Sequence, residues 1–260
     1  MFSHHRMFLP ALCGQAISQM ELTLWLLGNF ATAQEVNESI SMGSFPLVFG
    51  ARFFVFELHF SVMDKSGTGI VIEYTEKGRQ VYENTLGVVT NAPPYDFHML
   101  NLRNYAKLSR FNNDPLELGP DEFPPTGEGS GLIGLPGDIT PPSRFVRAAV
   151  LKQFASTPKT NKEAVNLAFH VLKTVSIPHG VISLPLLQRS GDYTVWSVAK
   201  DLTNNAIYFR YYKDFTIRVV HLENVQQGKR MMIKMYSNGV KGYQDVTTEM
   251  NPGDAAEDNV

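Results

Sequence analysis

Apolar positions recur at helical spacing over Gly14–Phe30, "GQAISQMELTLWLLGNF", where Ile17, Met20, Leu24 and Leu27 form a stripe and Gly28-Asn29 supply a stop. The spacing predicts one amphipathic helix there. A second, shorter helix follows in "ATAQEVNESI", where Thr32 and Glu35 stand three apart as in a capping box. The pattern then switches to β-branched and aromatic runs: "RFFVFELHFSVMD" (52–64), "GIVIEYT" (69–75) and "RQVYEN" (79–84), separated by "DKSG" and "EKG" turns. Such runs joined by Gly-bearing turns predict a β-meander. "LGVVTNAPPYD" extends it as a fourth strand that breaks on Pro93-Pro94.

A helix is expected over 96–109 with Asp96 as its cap, then a Pro/Gly-rich loop over 112–142. Loops of that length inside a domain are often functional or disordered. Two helices follow, at 142–156 and 161–176. "TVWSVAKD", "AIYFRYY" and "TIRVVHLEN" read as three closing strands, the first two joined by "DLTNN", before a polar, acidic tail over 244–260 that is expected to be disordered. Helices and strands are segregated along the chain, which predicts an α+β class with antiparallel sheet and helices packed outside it.

Composition narrows the function classes. With 260 residues, 43% hydrophobic and 18% charged, the chain fits a soluble globular protein with a sizeable core. Its 23 basic residues against 25 acidic, without a basic stripe, argue against nucleic acid as a partner. No run reaches the ~18 apolar residues of a membrane span. "SHHRMFLPALCG" has a weakly basic front and a short apolar patch, but no small-x-small cleavage site.

Familiar catalytic and phosphate-binding signatures (HExxH, CxxC, GxSxG, a Gly-rich loop before a helix) do not occur, so no cofactor or metal is expected. The seven histidines lack metal-ligand spacing, and His170, among apolar helical neighbours, is expected in the core. The run "YFRYY" (208–212) is expected to alternate between core and surface faces. Three residues invite a chemical reading. Cys13, the single cysteine, admits a nucleophile, a lipid-attachment site or a plain thiol. Asn91 stands where an expected strand breaks, as an oxyanion donor or as a turn former. Arg144 enters the first turn of a helix, where it opposes the dipole; it answers to an outside partner or is an exposed surface residue.

"GVVTNAPPYDFHMLNLRNY", "GSGLIGLPGDITPPSRFVRAA" and "TVWSVAKDLTNNAIYFRYY" together resemble the choloylglycine hydrolase and penicillin V acylase family, over roughly residues 20–225. These are linear-amide C–N hydrolases of the N-terminal-nucleophile class. The resemblance implies an αββα sandwich of two antiparallel sheets between helix layers. It also implies a cysteine nucleophile at a mature N-terminus whose own α-amine is the base. Conjugated bile acids, penicillin V or N-acyl homoserine lactones are the implied partners, and full-length relatives are commonly homo-oligomers. The family's strand-end Asn falls on Asn91, which would help hold the oxyanion, and its helix-start Arg falls on Arg144, which would support the nucleophile electrostatically.

The family's opening strand, early Arg, amine-contacting Asp and later oxyanion-hole Asn have no counterpart here. Cys13 precedes Asn91 by only 78 positions (91 − 13) and is followed by a helical pattern. The expectation is a single family domain over 14–243 behind a non-family leader (1–13), incomplete at its N-terminus, with Cys13 not its nucleophile. The alternative is an inactive remnant that binds amphiphilic acyl compounds or a partner chain.

Overall fold

The computed structural model describes residues 16–49, 58–184, 189–226 and 232. Cys13, the leader, the first part of the strand expected from residue 52 and the acidic tail lie outside them. The chain divides into two compact units, one ending at Ile177 and one beginning at Pro178.

The first unit opens with β1 (Ala16–Ser18), paired in parallel with β2 (Leu47–Phe49). Between them lie α1 (Leu22–Asn29) and α2 (Ala33–Ser41). The single helix expected from Gly14 is thus corrected: its first part is a strand, and Gln19 N–H still donates to the Phe49 carbonyl at 2.8 Å. The expected stripe is wrong too. Leu22 and Leu26 face the core, whereas Leu24 and Leu27 are 73% and 76% exposed. Apolar residues surround this helix almost completely, so spacing alone selects no face and packing does.

The capping box of α2 forms as expected. Thr32 Oγ1 accepts from Glu35 N–H at 3.1 Å, and Glu35 Oε2 accepts from Thr32 N–H at 3.3 Å. Asp64 adds a second cap by accepting from Ala33 N–H at 2.9 Å. Its carboxylate lies in the turn between two later strands, so it ties the helix layer to the sheet.

That sheet is the expected meander: β3 (His59–Met63), β4 (Gly69–Thr75) and β5 (Gly78–Glu83), antiparallel in that order. β4 is central and buried on both faces. Ile70 and Ile72 pack with Leu22, Leu26, Val36 and Phe45, while Val71 packs with Val88, Tyr95, Phe145 and Ala149. Alternation therefore sends successive residues of one strand into two cores. Glu73 shares the Val71 face, 2% exposed, directly across the ladder from His59. His59 Nδ1 hydrogen-bonds its carboxylate, and Tyr95 N–H donates to both oxygens at 3.0 Å.

Tyr95 is the first residue of α3 (Tyr95–Asn101), which continues as a 3-10 turn, Leu102–Tyr105. Pro94, not Asp96, occupies the cap position, and the distant Glu73 carboxylate takes up the free N–H there, as expected for an anion at a helix N-terminus. The fourth strand expected over 86–94 does not form. Side chains satisfy this segment instead: Asn84 Oδ1 accepts from Val88 N–H at 3.2 Å, and Lys152 Nζ donates to the Leu86 carbonyl at 2.6 Å. Pro93 and Pro94 have no N–H to offer a ladder.

The stretch 112–142 is more ordered than expected. It contains the hairpin β6 (Leu116–Leu118) and β7 (Asp121–Phe123), and a 3-10 turn at Ser130–Leu132. Asn112 Oδ1 accepts from Gly129 N–H at 2.7 Å, and Asn113 N–H donates to Ser130 Oγ at 2.8 Å. Gly131 is required here, since a Cβ would meet the Ser109 carbonyl at 2.6 Å. The loop leads into α4 (Pro141–Phe154), which packs with α5 (Asn161–Thr174). His170 on α5 is exposed, not in the core; Phe169 takes the buried position, because a one-residue step turns a helical side chain by ~100°.

The second unit contains the pair β8 (Ser183–Leu184) and β9 (Arg189–Ser190), and the expected closing meander of β10 (Trp196–Asp201), β11 (Ala206–Tyr211) and β12 (Asp214–His221). Along β11 the buried residues are Ala206 and Phe209, three apart, and the β11–β12 register shifts between Phe209 and Tyr211. Ala206 and Phe209 therefore lie on opposite faces of β11, whose register with β10 is uninterrupted, and both faces of the strand are partly covered. The chain is a mixed helix/sheet protein whose two meanders are antiparallel, as the expected α+β class requires. Among the described residues, no helix is long and apolar enough to cross a membrane.

Two predictions test this frame. Glu73→Ala should lower unfolding free energy by about 3 kcal/mol, because it strands a buried N–H and an imidazole, whereas Glu73→Gln keeps one acceptor and should lose about 1. Urea unfolding measures both, and equal losses would contradict the assignment. At the entrance to α4, Asp138 is held down to about 2, chiefly by the Ser143 hydroxyl and then by the Thr140 hydroxyl and N–H. A carboxylate depressed on folding stabilises above its ordinary value of 3.8 and loses that contribution as pH falls towards about 2. Asp138→Asn should therefore flatten this acid limb of the urea midpoint against pH, and an unchanged limb would exclude the clamp.

Candidate functional site

The site begins at the loop that feeds α4. Pro141 and Pro142 open the helix, so two of its unpaired N–H groups do not exist. Asp138 closes the entrance: Oδ1 accepts from Thr140 N–H at 2.9 Å and from Thr140 Oγ1 at 2.5 Å, and Oδ2 accepts from Ser143 Oγ at 2.6 Å. Arg147, buried one turn further on, donates to the carbonyls of Pro136 (2.7 Å) and Asp138 (2.5 Å). Its Nε reaches the Thr174 carbonyl at the end of α5, at 3.1 Å. The loop, α4 and α5 are therefore locked together by one guanidinium.

Arg144 projects from the first turn of α4, half-buried, with Nε on the Ile139 carbonyl at 3.1 Å. Its Nη2 donates to Asn91 Oδ1 at 2.7 Å, across 53 residues of sequence. Burial, and secondarily the Arg147 charge, lower its pKa from the ordinary value. The two residues singled out in the first and second motifs thus meet. This contact also orients the amide. With Oδ1 taken by a cation, the Nδ2–H2 group of Asn91 faces away from Arg144, and Asn91 is exposed. Cys13, the third candidate, lies outside the described residues.

Sequence reasoning missed two supports. His98 is 1% exposed, and its Nε2 lies 3.0 Å from the Asn91 carbonyl oxygen. Burial lowers its pKa first; the Asn91 and Pro93 carbonyls act in the opposite sense. Its signal was legible as a polar residue inside the apolar stripe Tyr95–His98–Met99–Leu102, at helical spacing. Arg147 carried a similar signal, as a charge between the apolar Val146 and Ala148.

Among the described residues no cluster of His, Cys, Asp or Glu could hold a metal. A shallow depression of about 320 Å³ is lined by Phe97, Leu100, Asn101, Arg103 and Asn104 on α3 and the turn after it, and neither Asn91 nor Arg144 contributes to it. The chemistry available is that of an exposed amide donor fixed by a guanidinium. Such a donor suits an anion that develops on a carbonyl oxygen.

Residues 14–231 match the linear amide C–N hydrolases, choloylglycine hydrolase family. The chain is 32% identical over 203 residues to a bile salt hydrolase/transferase of Clostridium perfringens, covering 76% of this chain and 60% of that protein. It is 33% identical over 212 residues to a bile salt hydrolase/transferase of Lactiplantibacillus plantarum, covering 80% and 64%. The fold superposes on the crystal structure of a mutant conjugated bile acid hydrolase from Clostridium perfringens with a TM-score of 0.75 and 28% identity, over 88% of this chain and 70% of that one. The chain thus spans 60% and 64% of the length of those two curated relatives. The three motifs lie within the matched region. The chain belongs to the choloylglycine hydrolase family of linear amide C–N hydrolases.

Proposed function

We propose that this chain supplies the oxyanion-stabilising side of a site for hydrolysis of a linear amide whose acyl group is large and amphiphilic, a conjugated bile acid above all, in which the thiolate attacking the amide carbonyl is the N-terminal cysteine that the family resemblance implies. Penicillin V and N-acyl homoserine lactones are the other amides the sequence resemblance implies. In this reading Asn91 Nδ2–H2 donates to the carbonyl oxygen as it becomes an oxyanion. Arg144 holds Oδ1 and adds positive potential to the same region. The tetrahedral adduct collapses with departure of the protonated amine, and water releases the acyl group from the thioester. Cys13 is not the thiol of this proposal: it stands 78 positions before Asn91 (91 − 13). The observation that carries the reading is the 2.7 Å contact from Arg144 to Asn91 Oδ1, which leaves the Asn91 donor pair turned outward.

Oxyanion stabilisation can be tested without turnover. The 260-residue chain should bind a phosphonamidate analogue of glycocholate, with tetrahedral anionic phosphorus in place of the amide carbonyl, about 10²-fold more tightly than glycocholate itself. Asn91→Ala should reduce that preference by about tenfold or more, as removal of one oxyanion donor does. Calorimetry measures both, and equal affinity for the two ligands would refute the reading. In a parallel assay of glycine release from glycocholate, this chain should remain at the buffer rate. Turnover abolished by Cys13→Ser would assign the thiol to Cys13 after all.

A further inference from the structure

We propose that His98 is a positioning residue for Asn91, holding its backbone carbonyl so that the outward amide keeps one direction. The inference rests on the reading of Asn91 as an oxyanion donor. A carbonyl oxygen only accepts, so the 3.0 Å contact requires the proton of His98 to sit on Nε2. The neutral ring then carries its lone pair on Nδ1. That atom is buried and makes no hydrogen bond among the described residues, although the Pro93 carbonyl stands near enough to the ring to act on its pKa.

An orphaned ring nitrogen is a poor feature for a core position. Leu or Phe would fill the same place in the stripe without stranding a polar atom. The imidazole is explained by what its other nitrogen does. Its neutral state agrees with burial, which lowers the His98 pKa from 6.5.

The ring cannot readily turn away from this contact. It stacks on Phe145 at 5.0 Å between centroids with an interplanar angle of 18°, and Phe97 meets it edge-on at 5.7 Å. Phe145 directly follows Arg144 on α4. One imidazole therefore touches the Asn91 backbone on its edge and the α4 turn that carries Arg144 on its face. Asn91 is held at two points, its main-chain oxygen by His98 and its side-chain oxygen by Arg144, and only Nδ2 is left to a ligand.

The test uses the full chain, labelled with 15N, and three measurements. In the wild type, a long-range 1H–15N spectrum should show His98 neutral with the proton on Nε2; the Nδ1–H form would overturn the proposal whatever the variants do. His98→Phe keeps the stack on Phe145 and removes the donor. It should shift the Asn91 side-chain NH2 pair, identified by its loss in Asn91→Ala, and lower the phosphonamidate preference by about fivefold with glycocholate affinity unchanged. His98→Gln places an amide donor near the position of Nε2 and should restore both readouts to within about twofold of wild type. An unshifted Asn91 pair in folded His98→Phe, or no rescue by folded His98→Gln, would overturn the proposal. A wild-type chain without tetrahedral preference would refute the oxyanion reading alone, leaving the tautomer and the Asn91 resonances to decide on His98.

Discussion

One buried carboxylate organises the first unit. Glu73 stands on the central strand β4, and its two oxygens collect the His59 imidazole from the neighbouring strand and the first N–H of α3. A carboxylate without water is costly, and here its acceptors are filled by partners from two other elements. The contact fixes where α3 begins. It therefore also fixes the extended segment before it, which reaches Tyr95 from β5 without a strand partner. Tyr95 reinforces the junction through its hydroxyl, which donates to Asn84 Oδ1 at 3.1 Å. Asn91 and His98 flank this junction, so the candidate site inherits its geometry from a contact it does not include.

The second frame is the clamp around α4. An arginine in the first turn of a helix, as Arg144 is in α4, is unfavourable to the dipole by roughly 0.3–1 kcal/mol. Local partners offset that cost. Asp138 places an anion at the helix entrance, and Arg147 binds loop carbonyls on one side and the C-terminal end of α5 on the other, where a cation is favourable. Arg144 is then free to face Asn91. The two frames meet where His98 stacks on Phe145, so the donor and the guanidinium are set by rigid elements and not by a loop tip.

Local signals carried much of the fold. The box at Thr32 and Glu35 closes within one turn, and "GIVIEYT" between Gly-bearing turns specifies a central strand, because both depend on neighbours a few residues away. The failures share the opposite property. The Leu24 and Leu27 stripe on α1 could not be assigned a face, since "LTLWLL" is apolar on nearly every side. "LGVVTNAPP" has strand composition, yet Asn84, Lys152 and His98 satisfy its backbone where ladder partners were expected. His170 was placed by the apolarity of its neighbours, which does not determine which way one helical residue points.

For the site, the sequence by itself determined that an Asn at a Pro-Pro break and an Arg at a helix entrance belong to amide-hydrolase motifs. Residue type and spacing are properties of the chain. Their meeting at 2.7 Å, the outward turn of the amide, and the supports from His98, Glu73 and Arg147 were decided by tertiary structure alone. These contacts join residues 7 to 53 positions apart. Hydrogen-bond direction and burial at such separations depend on how sheet and helices pack, which no local pattern encodes.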